Sequence, residues 1–381
     1  MDKPVRKSVV ISAVNLRKGG TLTVLKDCLG YLSTRDDLKV TALVHSRSLC
    51  DYPNIDYIEI PWTIKGWFRR LWCEYVTMHK ISKSLQPIDL WLSLHDTTPR
   101  VDASHRAVYC QTSFPFMKIK ARDFTMDAKI PLFAMFTKIA YKVNVHKNSY
   151  LVVQQPWLRG GLSEILNYPK EQIIVAPPAF SPMHIANTES KVPLFFYPAT
   201  PDCHKNFETL CEAAQLLENQ IGKGKFKVLI TIKGNENRYA KWLFKKWGKV
   251  DSIDFNGFLS KDALGELYGK ATALVFPSRI ETWGLPISEF SPTGKPMILS
   301  DLPYAHGAAA GTDKVLFFNP NDAESLAGRM REVLDGTAAY TKLAKIDCAE
   351  PYADDWQALF QILLNDENST TGKILPHFRG H

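Results

Sequence analysis

The chain has 381 residues, of which 45% are hydrophobic and 23% charged, a composition typical of a globular protein large enough for two domains. No apolar run approaches the ~18 residues that a membrane span needs, and the seven scattered cysteines contain no CxxC pair. These features argue against a transmembrane protein, a disulfide framework and a zinc site, and they favour a reducing cytoplasm.

The formal net charge is +8, and it is unevenly distributed. Residues 1–190 contain 25 Lys and Arg against 16 Asp and Glu, whereas the remaining residues contain 22 Lys and Arg against 23 Asp and Glu. Two interpretations follow. Either the first half faces an anionic partner, which would be a nucleic acid or a lipid surface, or its positive charge serves solubility alone.

The first half alternates short apolar runs with longer amphipathic ones. The run VVISAV near the N-terminus is too short for a secretory signal and predicts a first buried strand instead. Strand-like runs separated by helical patterns indicate βαβ units and a parallel sheet. The runs that predict strands are KSVVISAV, LKVTALVH, YIEIP, IDLWLSLH, RAVYCQTSF and SYLVVQQ.

A second alternating series follows a segment that resembles a linker. Residues 177–193 are rich in Pro, Ser and Asn and show no periodicity. The series then runs from LFFYPAT to the helical pattern AESLAGRMREVL, and a last amphipathic segment, DDWQALFQILL, precedes a polar tail. Two parallel α/β domains are therefore predicted, with ligands bound in a cleft at the carboxyl ends of the strands.

Several common catalytic and binding motifs are absent from the sequence. There is no GxxxxGK[ST] phosphate loop, no GxGxxG, no HExxH and no GxSxG. No Asp-x-Asp occurs either, so a divalent metal held by such a pair is not indicated. These absences disfavour P-loop enzymes, nicotinamide or flavin enzymes, zinc proteases and serine hydrolases.

The stretch SRIETWGLPISEF, residues 278–290, carries two acids eight positions apart. Pro286 fits the first position of a helix, so Gly284 and Leu285 would lie at a helix entrance, where free N–H groups bind anions. A carboxylate beside such a site, Glu289, suits vicinal hydroxyls, and Glu281 could bind a second pair. The alternative is a first-turn acid favoured by the helix dipole together with a solvated acid.

The surrounding sequence resembles the signature of the retaining glycosyltransferases of family four, which have the GT-B fold. ALVFPSRIETWGLPISEFSPTGKPMILSDLP contains a Glu-x7-Glu pair around Gly-Leu-Pro, followed by the turn Gly-Lys-Pro. The resemblance is strong over residues 192–335 and weaker in the first half.

The resemblance implies roles for the residues that match the motif. Glu289 would hold ribose hydroxyls of a nucleotide sugar, Glu281 hydroxyls of the transferred sugar, and the amides of Gly284 and Leu285 the diphosphate. Lys205 in PATPDCHKNFETL would contact the distal phosphate and stabilise the charge that develops there, unless it is only a solvated lysine before a helix. The other implied donor-binding residues are Thr282, Trp283, Gly20, Gly257 and Phe258, the last two bordering the base.

This chain departs from the family pattern at one cation. The family often has an arginine six residues before the lysine, and that position is Ala199 here. Either Lys205 does more, or Lys233 or Arg279 substitutes.

The N-terminal half supplies further candidates. In RKGGTLTVL, Gly20 would allow close approach of the main chain to the diphosphate, and Gly19 is an acceptor-side candidate; a plain turn is the alternative. Thr21 or Thr23 is expected to cap the following helix. In YCQTSFPF, Gln111 replaces the histidine that relatives place beside the donor sugar, and it is the third catalytic candidate.

His95 in SLHDTT is another acceptor-side candidate, or else a strand-end histidine with satisfied hydrogen bonds. Residues 60–80 mix three Trp, a Phe and several cations at helical spacing. This pattern predicts contact with an anionic inner membrane leaflet, the alternative being a core helix.

The sequence thus predicts an α/β protein with the GT-B fold: two Rossmann-like domains facing a cleft, and a C-terminal helix that crosses back. It predicts a glycosyltransferase that moves a sugar from a nucleotide-diphosphate donor to a glycan or lipid-linked acceptor in surface polysaccharide synthesis, without cofactor or metal. The alternatives are a non-catalytic relative, suggested by Ala199 and Gln111, and a nucleic-acid-binding protein. The predicted divisions are 1–178 (acceptor side), 179–191 (linker), 192–352 (donor side), 353–366 (crossover helix) and 367–381 (disordered tail).

Overall fold

The computed structural model describes residues 6–178, 184–185 and 190–364. Within these residues the chain forms two separate parallel sheets, one of seven strands and one of six. The prediction of two parallel α/β units is therefore confirmed. Most of the predicted linker, 179–191, and all of the predicted tail, 367–381, lie outside the described residues, so the predicted divisions stay predictions.

The first sheet contains residues from the N-terminal half. Its strands are β1 (Lys7–Ala13), β2 (Leu38–Val44), β3 (Ile55–Glu59), β4 (Leu90–Ser93), β5 (His105–Tyr109), β6 (Tyr150–Val153) and β7 (Ile173–Val175). The helices of this half are α1 (Gly19–Leu32), α2 (Trp67–Trp72), α3 (Met78–Ser84), α4 (Ala121–Asp127), α5 (Lys129–Lys142) and α6 (Pro156–Leu166). The strand order is β3-β2-β1-β4-β5-β6-β7.

The second sheet repeats this plan. Its strands are β8 (Leu194–Tyr197), β9 (Lys227–Ile230), β10 (Ile253–Phe255), β11 (Ala273–Phe276), β12 (Met297–Ser300) and β13 (Val315–Phe318), in the order β10-β9-β8-β11-β12-β13. The helices are α7 (Phe207–Ile221), α8 (Arg238–Trp247), α9 (Lys261–Lys270), α10 (Leu285–Phe290), α11 (Pro303–Ala308), α12 (Ala323–Asp335) and α13 (Trp356–Leu363).

Burial explains why these runs form strands. Every residue of β4, β8, β11 and β12 is buried, whereas the edge strands β3 and β10 are partly exposed. Parallel strands covered by helices on both faces need such continuous apolar runs. In both sheets the strand order reverses beside the first strand, between β1 and β4 and between β8 and β11. At such a reversal neighbouring loops leave a crevice at the carboxyl edge, where ligands bind.

The C-terminal helix packs on the first sheet, as predicted. Leu359, Phe360 and Leu363 of α13 are buried in the core formed by β1, β2, β4 and α1. The Phe360 ring lies 5.8 Å from the ring of Tyr31, centroid to centroid. The returning chain is fixed before the helix, because Tyr352 forms a β-bridge with the last residue of β7.

Two details differ from the expectations drawn from sequence. The run from α2 to α3 is one helical segment, interrupted by a π-helical turn at Cys73–Thr77. Helix α1 begins at Gly19 with Lys18 as its N-cap residue, so Thr21 and Thr23 lie inside the helix and neither caps it. Instead Thr21 Oγ1 donates to the Lys18 carbonyl oxygen at 3.2 Å.

Over the described part of the chain, no helix combines the length and apolarity that crossing a membrane requires.

Removing the Phe360 ring tests the contribution of the crossover helix. Phe360→Ala should lower the free energy of unfolding by about 3–5 kcal/mol, because it leaves a cavity in the N-terminal core. Chemical denaturation of the full chain measures the change. Phe68→Ala is the control, since Phe68 is 81% exposed; equal losses in both variants would contradict the observed packing of α13.

Candidate active site

The crevice of the second sheet holds an ion pair between two loops. Lys205 lies in the loop after β8 and Glu281 in the loop after β11, the two strands that flank the reversal of strand order. The Nζ atom of Lys205 lies 2.6 Å from Oε1 of Glu281, and the two side chains are 17% and 14% exposed. The structure therefore brings together a cation and a carboxylate that are 76 residues apart, at the position where this fold binds ligands.

Asn206 fixes the loop that carries Lys205. Its backbone is left-handed, with φ of 60°, and its side chain is fully buried. Nδ2 of Asn206 donates to the carbonyl oxygens of Pro277 and Pro320, at 3.0 and 2.8 Å. One amide thus ties the start of α7 to the loops after β11 and β13, which limits the movement of Lys205.

The Gly-Leu-Pro turn adopts a conformation that requires glycine. Gly284 has φ of 97° and ψ of 57°, and α10 begins at Leu285. Pro286 therefore takes the second helical position, not the first as the sequence suggested. Its missing N–H still removes no helical hydrogen bond, because the first N–H groups of a helix have no intrahelical partner.

The glycine-rich loop of the first domain reaches this turn. A Cβ atom built on Gly20 would lie 3.4 Å from Cδ1 of Leu285, so the two loops face each other at contact distance across the cleft. Gly19 is exposed and has φ of 65°, a conformation that favours glycine. Gly20 thus lies beside the Gly-Leu-Pro turn, and the roles of Gly20 at the diphosphate and of Gly19 on the acceptor side stay predictions.

Glu289 is one turn into α10 and is largely shielded from water. Its Oε2 accepts a hydrogen bond of 2.8 Å from the buried Tyr268 hydroxyl. Burial raises the pKa of the Glu289 carboxyl, although the Tyr268 hydrogen bond and the charge of Lys261 oppose this change. A carboxylate with one oxygen held by tyrosine can accept from ligand hydroxyls through its remaining lone pairs.

The loop after β10 exposes an aromatic ring beside a constrained glycine. Phe258 is 93% exposed, and Gly257 has φ of 88°. A Cβ at Gly257 would come within 2.6 Å of Cγ of Lys233, so the Lys233 side chain lies over this glycine. An exposed phenylalanine at a strand end offers a surface on which a planar base can stack.

The two residues that could replace the arginine absent at Ala199 differ in whether their side chains are free to contact a ligand. The guanidinium of Arg279 binds Asp123 of α4, with Nη2 lying 2.8 Å from Oδ1, and it also donates to the Cys203 carbonyl oxygen at 2.8 Å. Arg279 is thus committed to protein groups, whereas the Lys233 side chain is exposed. Lys233 remains the better substitute.

In the first domain, hydrogen bonds hold Gln111 in place. Its Nε2 donates to the Leu94 carbonyl oxygen at 2.7 Å, and its backbone N–H donates to Asp96 Oδ1 at 2.5 Å. Asp96 Oδ1 also accepts from the Tyr141 hydroxyl at 2.8 Å. Gln111 is thus rigidly positioned, with its side-chain carbonyl oxygen as the group left for a ligand.

His95 belongs to a buried polar network. Its Nε2 lies 3.1 Å from Ser12 Oγ and its Nδ1 lies 3.1 Å from Thr97 Oγ1, and the residue is 1% exposed. Burial lowers the pKa of His95 to about 4, although the nearby Glu74 carboxylate opposes this, so the ring is neutral at neutral pH. These contacts favour the alternative of a strand-end histidine with satisfied hydrogen bonds.

Two neighbours of Glu281 occupy different surroundings. Thr282 is half-buried in the loop. Trp283 donates from Nε1 to Ser288 Oγ at 2.8 Å and forms part of the wall of a cavity of about 410 Å³ between the domains. This cavity is also lined by residues of β7 and of the returning chain, namely Val175, Lys345, Ile346, Cys348 and Tyr352.

Sequence reasoning missed three residues that shape the site. Asn206 follows Lys205 directly, and an asparagine before an apolar helix is a recognisable signal for a left-handed turn. Tyr268 and Asp123 give no such local signal, because each meets its partner only after the chain has folded.

Residues 183–346 match the family model described as "Glycosyl transferases group 1". The chain is 26% identical over 191 residues to O-antigen chain mannosyltransferase B of Escherichia coli, covering 46% of this chain and 49% of that protein. It is 21% identical to O-antigen chain mannosyltransferase RfbU of Salmonella typhimurium, covering 64% of this chain and 68% of that protein. The chain thus aligns with about half the length of the first relative and about two thirds of the second.

Solved structures share the fold at low identity. The lipopolysaccharide outer core galactosyltransferase WaaB superposes with a TM-score of 0.61 at 12% identity, covering 88% of this chain and 92% of that one. Anabaena HepE in complex with UDP-glucose superposes with a TM-score of 0.57 at 12% identity, covering 94% and 95%. The family match and the fold together confirm the predicted resemblance: residues 183–346 match the group 1 glycosyl transferases, and the chain has the GT-B fold.

Proposed function

We propose that this protein is a retaining glycosyltransferase that moves a sugar from a nucleotide-diphosphate donor to a hydroxyl of a glycan or lipid-linked acceptor. The observation that carries the proposal is the Lys205–Glu281 pair at the reversal of strand order in the second sheet. The relatives support a role in surface polysaccharide synthesis, since two of them are named O-antigen chain mannosyltransferases. HepE, solved with UDP-glucose, supports a nucleotide-sugar donor.

The proposed reaction breaks the bond between the sugar C1 and the distal phosphate oxygen. Lys205 would stabilise the negative charge that develops on that phosphate, and Glu281 would accept hydrogen bonds from hydroxyls of the transferred sugar. The acceptor oxygen then bonds to C1 on the face that the phosphate leaves, and its proton passes to the departing phosphate oxygen. The 2.6 Å contact suits these roles, because adjacent parts of one donor would meet adjacent side chains.

The remaining residues would bind the donor. Glu289, one turn into α10, would accept hydrogen bonds from ribose hydroxyls, and the amides of Gly284 and Leu285 would bind the diphosphate. Phe258 would stack on the base. Gln111 would orient the donor sugar through its carbonyl oxygen, since its amide nitrogen is bonded to the Leu94 carbonyl oxygen.

The reaction is proposed to need neither cofactor nor metal. This expectation rests on Lys205, whose positive charge would lie at the distal phosphate without a metal ion. Closure of the two domains over the donor would exclude water and so favour transfer over hydrolysis. The protein would act in the cytoplasm, at the inner leaflet that carries a lipid-linked acceptor.

An apolar surface on the first domain supports membrane contact. Helix α2 exposes Trp67, Phe68, Leu71 and Trp72, and α5 exposes a second set consisting of Leu132, Met135, Phe136 and Ile139. The two helices touch, because the rings of Trp67 and Phe133 lie 5.4 Å apart. We call these two helix faces the α2–α5 surface. Contiguous apolar patches of this kind mark interaction sites in proteins.

The charges around the α2–α5 surface favour an anionic bilayer as its partner. Helices α2 and α5 contain no Asp or Glu. The exposed cations in and beside them are Lys65, Arg69, Lys129, Lys138 and Lys142. Aromatic rings insert at the headgroup level while Lys and Arg bind lipid phosphates, so the composition suits a membrane interface. The predicted segment 60–80 thus forms half of the proposed surface, and α5 forms the other half.

Replacing Glu281 tests the proposed chemistry. A thermal-shift screen of nucleotide sugars on the full chain would first identify the donor, because a ligand that binds the native state raises the melting temperature. With that donor, Glu281→Gln should lower kcat by about 10- to 100-fold, since a hydrogen bond to a charged group is lost. Initial rates of transfer to a lipid-linked glycan measure the change.

Glu324→Gln is the matched control, because Glu324 is an exposed acid on α12 of the same domain. Its kcat should equal that of the wild type. Wild-type rates in Glu281→Gln would count against the proposal. Absence of nucleotide-sugar binding, together with salt-sensitive binding to nucleic acid, would replace it with the nucleic-acid alternative.

The raised pKa of Glu289 predicts a pH dependence of donor binding. Ribose hydroxyls need the ionised carboxylate, so donor affinity should fall on acidification, beginning at a higher pH than for an ordinary glutamate. Calorimetric titration of the identified nucleotide sugar across pH measures this effect. Glu289→Gln should bind more weakly at neutral pH and lose the dependence; a wild-type pH profile in this variant would exclude Glu289 as the ribose ligand.

Vesicle binding tests the α2–α5 surface. Phe68→Ser with Phe136→Ser should reduce co-sedimentation with phosphatidylglycerol vesicles severalfold, because each ring contributes about 1.5–3 kcal/mol when buried. Phe258→Ser, which removes an exposed ring of the second domain, should bind vesicles as the wild type does. Equal binding by all three proteins would disprove membrane contact at this surface.

A further inference from the structure

Helix α4 makes two charged contacts with the second domain through consecutive residues. Arg122 bonds to Glu208 of α7. Asp123 binds Arg279 with both carboxylate oxygens, at 2.8 Å from Oδ1 to Nη2 and 3.3 Å from Oδ2 to Nη1. The Asp123 and Arg279 side chains are 1% and 9% exposed. A two-point contact removed from water fixes the orientation of the guanidinium.

The same guanidinium binds the backbone next to the proposed catalytic lysine. Arg279 Nη2 donates to the Cys203 carbonyl oxygen at 2.8 Å, and the Arg279 backbone N–H donates to the His204 carbonyl oxygen at 2.8 Å. Both carbonyls directly precede Lys205, and Arg279 itself lies two residues before Glu281. One residue therefore spans the two loops that carry the ion pair.

We infer that Asp123 is a positioning residue for catalysis: by orienting Arg279, this residue of the first domain holds Lys205 and Glu281 in their working geometry. The inference rests on the proposed function. It makes the proposed chemistry of the donor site depend on the docking of α4, which lies directly before α5 in the chain. A shift of about 1 Å in the backbone of Lys205 would move its charge away from the phosphate, and misplacements of this size lower catalytic rates strongly.

Arg122 provides a matched comparison on the same helix. Its partner Glu208 also accepts a hydrogen bond from the Tyr239 hydroxyl of α8. The Arg122 contact therefore anchors α4 to α7 and α8, whereas the Asp123 contact reaches the loop before Lys205. If the ion pairs only hold the domains together, loss of either should have the same effect.

The test compares kcat and donor KM in three variants. Asp123→Asn keeps the shape of the side chain and an oxygen that can accept from the Lys120 N–H, as Asp123 Oδ2 does at 2.9 Å. It should lower kcat by about 10- to 100-fold and change donor KM by less than about threefold. Arg279→Lys keeps the charge but cannot bind Asp123 and the Cys203 carbonyl together, so it should show the same loss. Arg122→Gln should keep kcat within about twofold of the wild type.

Hydrogen exchange provides a readout that needs no substrate. The backbone amides of Lys205 and Arg279 should exchange faster in Asp123→Asn and Arg279→Lys than in the wild type, and not in Arg122→Gln. With an active wild type, equal kcat values for Asp123→Asn and Arg122→Gln would overturn the inference whatever the exchange. A wild type that transfers no sugar would refute the proposed function instead. In that case, unchanged hydrogen exchange at Lys205 and Arg279 in Asp123→Asn would by itself overturn the role of Asp123 in holding these loops.

Discussion

The contact between Lys205 and Glu281 is possible only because the strand order of the second sheet reverses between β8 and β11. Parallel strands place their carboxyl ends on one edge, and the reversal sends the following helices to opposite faces, which leaves a crevice between the two loops. A lysine and a glutamate brought into this half-buried crevice neutralise each other at 2.6 Å. Hydrogen bonds to the surrounding backbone groups then hold these two loops in fixed positions relative to each other.

The supporting contacts come from both domains. Asn206 binds carbonyl oxygens from the loops after β11 and β13, and Arg279 binds the carbonyl oxygens before Lys205. Asp123 extends this support to the first domain, and Gly20 of the first domain approaches Leu285. Most of the proposed donor site therefore lies on the second domain, while part of its framework lies on the first. In a two-domain enzyme this arrangement links closure of the cleft to the geometry of the reacting groups.

Much of the fold could be predicted because its elements are locally encoded. The continuous apolar strands of both sheets, the Gly-Leu-Pro turn and the amphipathic last helix each have a signal within a few residues. Helices α4 and α5 have no counterpart among the predicted segments, because α5 carries apolar residues on exposed as well as buried faces and so shows no clean periodicity. The proposed membrane contact would explain why this face of α5 is both apolar and exposed.

The site could be predicted only where its residues belong to a recognisable sequence motif. Glu281, Glu289 and Gly284 lie within nine residues of one another, and their arrangement follows from the strand–turn–helix sequence. The Asp123–Arg279 pair joins residues 156 positions apart, and no local pattern indicates it. For His95 the sequence left two interpretations open, since a strand-end histidine has the same sequence context whether its ring faces a ligand or a buried network.

A crystal structure of the protein with a bound nucleotide sugar would test the proposed donor site most directly. We expect the distal phosphate within hydrogen-bonding distance of Lys205 Nζ, the sugar hydroxyls at Glu281 and the ribose hydroxyls at Glu289. A nucleotide sugar bound elsewhere, with the Lys205–Glu281 pair out of contact with the ligand, would contradict the proposed role of this pair.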